Sequence, residues 1–255
     1  MTSLLIVLAS FLATGASLIF LTSYATTSLV IASLVAVVLW APANVAFVMA
    51  LRRGVAAEKA YILFGVTMAI TDTLAGIFVQ GIVIKNWLFL SIASIAGLYL
   101  LYKNLAVKAE APILESRRNE MLCYGATGIL IVIGLLSGLW WVQTIAFAVA
   151  DFCGAVLATR IGLWLTKFKL VKHDSFWSDA LSGTLGFVPT IVAVVILLQT
   201  LQVLPIVGPA SGIAAAAVAI PAAALLFGRK VAWGKEAGWL LLASVSIVLI
   251  YYSYA

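Results

Sequence analysis

Charge is scarce in this sequence. Asp, Glu, Lys and Arg make up 9% of its 255 residues, while 65% of the residues are hydrophobic. Soluble domains carry about 25% charged residues. So little charge excludes a water-soluble fold, because no soluble core could hide that much apolar surface; the solvent is largely lipid. Histidine occurs once, as His173, which excludes a histidine-rich metal centre. Haem and zinc lack ligands, no lysine lies deep in a late span to form a Schiff base, and no cofactor is expected. Cysteine occurs as Cys123 and Cys153, without CxxC spacing. One falls near the start of an apolar run and the other near the middle of the next, so buried free thiols are expected rather than a disulfide. The net charge of +6 sits in clusters between apolar runs. That is the pattern of membrane topology and not of nucleic-acid binding. The start, Met1-Thr2-Ser3, lacks the basic region of a signal peptide, so the first run reads as a retained helix.

What abounds is apolar sequence, in runs close to the roughly 20 residues that cross a bilayer. The runs cover residues 4–21, 28–51, 60–84, 87–102, 121–139, 142–166, 180–201, 205–227 and 238–252. The expected fold class is all-α: a polytopic transmembrane helix bundle of about nine spans, one integral membrane domain over residues 1–255. Links after the even-numbered runs carry almost all the Lys and Arg, including Arg52, Arg53, Lys103 and Lys167; links after the odd-numbered runs hold Lys85 alone. That bias puts the N-terminus in the cytoplasm and the C-terminus outside. Trp87, Trp140 and Trp141 then fall at the outer interface, and Trp164, Trp233 and Trp239 near the inner one, as aromatic belts do.

Two stretches stand out within these runs. Residues 67–77 and 146–156 place Asp72 over Asp151, with small and apolar residues on both sides. A carboxylate in hydrocarbon is costly and marks a functional site by default. The two runs cross in opposite directions, as in an inverted-topology repeat with halves at about 28–103 and 121–203. At 1.5 Å per residue Asp72 lies roughly 18 Å from the inner edge and Asp151 roughly 14 Å from the outer edge, so both are near the midplane. If the two helices touch, the carboxylates face each other. Such a pair attracts a cation or holds a proton, and Thr71 and Thr73 offer further oxygens. Hard oxygen ligands suit Mg²⁺, Ca²⁺, Mn²⁺ or H⁺, which makes Asp72 and Asp151 the candidate metal ligands. The plainer alternative is that each acid is hydrogen-bonded within the bundle and merely joins helices.

Other polar residues are weaker signals. Arg160 lies nine residues after Asp151, on the opposite helix face; it reads as a residue snorkelling to the inner headgroups, or as a counter-ion for another helix. Asn44, Gln80, Gln143 and Gln199 lie in or near spans, and Pro42, Pro189 and Pro221 interrupt them. A proline frees a backbone carbonyl, and such breaks line substrate sites in transporters, although they are also ordinary in membrane helices. Pro42-Ala43-Asn44 is the preferred of these, with Asn44 as a site residue. Ser211, among small residues, reads as tight packing. The segment 171–179, with Phe176 and Trp177, is expected along the membrane surface, with Ser178 or Asp179 capping the next helix.

Residues 40–104 carry, in order, Pro42-Ala43-Asn44, a basic turn at Arg52-Arg53-Gly54, a helix with Gly65 and Asp72, and a tight hairpin at Lys85-Asn86. This order resembles the opening of LysE-type exporters, which have glycine around the proline where this chain has alanine. The resemblance implies transport.

The function expected is therefore a secondary transporter or exporter of a cation or small solute, not an enzyme, coupled to protons or cations through Asp72 and Asp151. The alternative is a non-catalytic membrane subunit or scaffold of a larger complex. Expected partners are membrane lipid and a small cation, proton or small solute, with a homo-oligomer or membrane-complex partner open and no nucleic acid.

Overall fold

The computed structural model describes residues 2–55, 57–105, 136–172 and 175–202, with residues 125, 128–129, 131–134, 241, 245, 248–249 and 252–253. Among these, every regular element is a helix. They are α1 (Thr2–Ser23), α2 (Leu29–Arg52), α3 (Ala57–Phe78), α4 (Trp87–Leu105), α5 (Trp140–Lys167), α6 (Phe176–Gly186) and α7 (Val188–Leu201).

α1 and α2 match the first two apolar runs to within about two residues. Hydroxyls inside α1 cause no conflict with its helix, because Ser10 and Ser17 donate back to Ile6 and Ala13 carbonyls at 3.0 and 2.9 Å. The surfaces are arranged for lipid. Leu4, Leu8, Phe11 and Ile19 of α1, with Val30, Leu34 and Val38 of α2, are exposed, whereas Ala9, Ala13, Ala32, Ala36 and Ala43 are buried. Small residues inside let backbones approach closely, as in membrane helix pairs.

Three helical stretches are long and apolar enough to cross a membrane: Ser3–Ser23, Leu29–Arg52 and Val149–Lys167. A fourth is added if the bent pair α6–α7 counts as one crossing. Apolar helices of this length fit a membrane protein, but among the described residues they do not support nine spans. The expectation fails for physical reasons. In α3 only Leu63–Phe78 is an apolar helix, since the chain leaves the helix after Phe78 and Gly81 takes φ +65°, a conformation that suits glycine. In α4 the apolar part is Trp87–Ala96. The expected runs 205–227 and most of 121–139 and 238–252 lie outside the described residues, as do most of the polar segment 103–120, His173 and part of the second proposed repeat half.

The expected seventh span bends by 49° between α6 and α7. Pro189 lies in the first turn of α7, where its missing N–H is tolerated but cannot continue α6. Ser175 caps α6 by accepting from the Ser178 N–H at 3.2 Å, so the cap is neither Ser178 nor Asp179. Phe176 and Trp177 are exposed at this end, with ring centroids 5.8 Å apart.

Packing divides the helices. α1 packs on α2 and α3, and α4 on α3; α5 packs on α6 and α7, and α2 joins the two groups through α6 and α7. Phe47 of α2 stands at the junction, edge-on to Phe64 of α3 at 5.4 Å and to Phe187, at the α6–α7 bend, at 5.9 Å. Gln199 Nε2 donates to the Thr27 carbonyl at 2.9 Å, tying α7 to the turn before α2. Near the chain end, the Ser253 carbonyl accepts from the Lys85 and Asn86 N–H groups at 3.0 and 3.2 Å.

Cys153 is buried and disulfide-bonded, which overturns the expectation of free thiols. The other cysteine, Cys123, lies outside the described residues. Both stand the same number of residues from Gly138, whose φ of +62° precedes α5.

Candidate functional site

A buried polar seam runs between α1 and α3. On α1, Ser10, Thr14 and Ser17 follow the spacing that puts residues on one helix face. On α3, Thr67, Thr71 and Asp72 are buried with them. Ser10 Oγ also reaches the Phe64 carbonyl of α3 at 3.2 Å. The centre is Thr14, whose hydroxyl lies 2.7 Å from the Thr71 hydroxyl and hydrogen-bonds Asp72 Oδ1. Thr71 also donates to the Met68 carbonyl at 3.1 Å. Asp72 is 0% exposed, and its Oδ2 has no hydrogen-bond partner. An unpaired buried carboxyl oxygen is expensive, so the arrangement is not one that packing alone would select.

The other expected site residues lie elsewhere. Thr73 is partly buried and donates to Ala69 within its own helix at 2.7 Å, as helical threonines commonly do. Asn44 lies on α2, where its backbone carbonyl is 3.1 Å from where a Cβ on Gly183 would stand. Its Nδ2 is buried without a hydrogen bond. Asp151 is buried on α5. Since α3 packs on α1 and α4 while α5 packs on α6 and α7, the structure joins Asp72 to Thr14 and Thr71, and sets Asp151 in the other group of helices.

Asp151 has its own close surroundings. The Thr190 hydroxyl of α7 donates to the Ala150 carbonyl at 2.9 Å. A Cβ on Gly154 would lie 2.7 Å from Thr190 Oγ1 and 2.9 Å from the Phe187 ring, and one on Gly186 2.4 Å from Ala158 Cα. These glycines let α5 lie directly on the α6–α7 bend. In the register that superposes the two aspartates, Thr71 and Ala150 are equivalent. Each acidic stretch is thus met, one residue before its Asp, by a buried threonine from another helix.

A second polar cluster closes the end of α2. Arg52 Nη1 lies 2.6 Å from Asp179 Oδ1 and donates to Ser178 Oγ at 2.9 Å; its Nη2 reaches Ser182 Oγ at 3.4 Å. A Cβ on Gly162 would stand 1.8 Å from Arg52 Nη2, so α5 has a notch for the guanidinium. Arg160 is half-buried on the same helix.

Sequence reasoning missed Thr14. The signal was present as the Ser10–Thr14–Ser17 stripe in an otherwise apolar run. Among the described residues no group of three or more His, Cys, Asp or Glu side chains gathers to hold a metal ion. Among the described residues, the oxygens linked by hydrogen bonds at Asp72 are its own carboxyl, the Thr14 and Thr71 hydroxyls and, beyond them, the Met68 carbonyl. No family model, curated protein or solved structure matches the chain.

Proposed function

We propose that this protein is a multi-pass membrane carrier, not an enzyme, that moves a small cation, a proton or a small solute by exchange at Asp72. The observation that carries the reading is a wholly buried carboxyl with an unpartnered Oδ2, held beside two hydroxyls from two helices. Asp72 lies in the apolar helix Leu63–Phe78, whose Leu74 and Phe78 are exposed, and an ionisable group in such a setting reads as part of an ion or proton pathway. The bend at Phe187, packed on the helix of Asp151, supports the same reading, because broken helices accompany transport sites. Asp151 acts as a second, separate exchange position. The exporter-like order of elements over residues 40–104 agrees with this role. The N-terminus is cytoplasmic and the C-terminus external in this reading, on the strength of the basic links.

The test is flux of protons, Mg²⁺, Mn²⁺ and Ca²⁺ in proteoliposomes, with Asp72→Asn and Asp151→Asn. Loss of one flux in Asp72→Asn supports the carrier. Flux unchanged in both variants removes it. The close glycine contacts around Asp151 and the Thr190–Ala150 bond favour a second reading, in which that half is a packing scaffold within a membrane complex. Co-purification of a fixed partner, with no flux, would select it.

A further inference from the structure

We infer that the occupant of the Asp72 site is a proton, carried on Asp72 itself and held by a relay through Thr14 and Thr71. Three contacts run in series: Asp72 Oδ1 to Thr14 Oγ1, Thr14 Oγ1 to Thr71 Oγ1 at 2.7 Å, and Thr71 Oγ1 to the Met68 carbonyl at 3.1 Å. Each contact needs one hydrogen between its oxygens. Each threonine supplies one, and a carbonyl supplies none. With an ionised Asp72, one of the three contacts sets lone pair against lone pair. With a protonated Asp72 every contact is filled. Asp72 donates to Thr14, Thr14 to Thr71, and Thr71 to Met68.

The orphan oxygen agrees. In the neutral acid Oδ2 is a carbonyl oxygen, whose unpaired burial costs far less than that of half an anionic charge. Among the described residues, no ion pair to Asp72 is present, and its hydrogen-bond partner is the Thr14 hydroxyl. α1 contains no titratable side chain, and the only ones on α4 (Tyr99, Tyr102 and Lys103) come in its last two turns. α3 itself has Glu58, Lys59 and Tyr61 in its first turns, and Arg52 of α2 is engaged with Asp179. A divalent ion would need about six to eight oxygens for Ca²⁺, or a near-octahedral set for Mg²⁺. The hydroxyls here already touch one another and leave no room between them. Release breaks the O–H bond of Asp72 and passes the proton to water, leaving the carboxylate; rebinding reverses it. Oδ2, facing no partner, is the atom that water would meet when α1 and α3 part.

That this proton is the coupling ion rests on the carrier reading above; that it is bound does not. The experiment is infrared difference spectroscopy of the full chain in lipid vesicles, with proton and divalent-metal flux measured in the same vesicles. Expected is a carboxylic-acid carbonyl band that disappears in Asp72→Asn, moves to higher frequency in Thr14→Val and returns in Thr14→Ser. Proton flux should fall at least tenfold in Asp72→Asn, with metal flux at background throughout. If Asp72→Asn removes carboxylate bands instead, or if metal flux depends on Asp72, the proton assignment is overturned while the carrier stands. If the acid band is lost but no flux depends on Asp72, the bound proton is upheld and its role as coupling ion is overturned, together with exchange at Asp72; the carrier itself falls only if Asp151→Asn also leaves flux unchanged.

Discussion

Arg52 and Asp179 meet at 2.6 Å, joining the last residue of α2 to the first turn of α6. Neither side chain is more than a fifth exposed. Removing one partner strands the other, at about 3–5 kcal/mol for a fully buried pair. With the exposure that remains here, Asp179→Asn and Arg52→Gln should each cost roughly 2–3 kcal/mol. Unfolding in mixed micelles would show it, and a double-mutant cycle should return a coupling energy well above that of a surface pair. A cycle that closes near zero would mean the pair is ornamental.

Gly186 and Gly15 make a matched contrast. A methyl on Gly186 would enter the backbone of Ala158, whereas one on Gly15 meets nothing within 4 Å. Gly186→Ala should destabilise by about 1–3 kcal/mol through overpacking. Gly15→Ala should stabilise by about 0.5–1 kcal/mol, since alanine is the better helix former. Thermal unfolding of the two variants should therefore move in opposite directions.

Asp72→Asn should fold and keep stability within about 1 kcal/mol, because an amide can donate to Thr14 as the neutral acid does. Thr14→Val removes the hydroxyl that serves both Thr71 and Asp72, and should cost about 1–2 kcal/mol. Finding the asparagine variant far less stable than the valine variant would contradict this order.

Thr190→Val keeps the shape of the side chain and deletes its bond to the Ala150 carbonyl. The expected loss is about 1 kcal/mol, read as faster hydrogen exchange where α5 meets the α6–α7 bend. No change in exchange there would mean that shape alone holds the contact.

Much of this architecture could be read from the residues, and the gaps have identifiable causes. Apolar runs located α1, α2 and α5 because a lipid-crossing helix must be apolar throughout its length. They overstated the number of crossings. Hydropathy does not register Gly81 ending α3, nor a bend where Pro189 opens a new helix. The buried aspartates were legible from their cost in hydrocarbon, but their partners were not. Asp72 is 58 residues from Thr14, and a contact across that separation depends on which helices pack, which no local periodicity contains. The echo between the two acidic stretches suggested a single shared site, whereas the helix packing gives each stretch a threonine of its own.

The bonds from Lys85 and Asn86 to Ser253 impose a condition of parity. Two segments joined backbone to backbone share one end of the bundle. If that end is a membrane face, the chain between Asn86 and Ser253 traverses the bilayer an even number of times, whatever the total. A reporter fused at one of these places reads the sidedness of both.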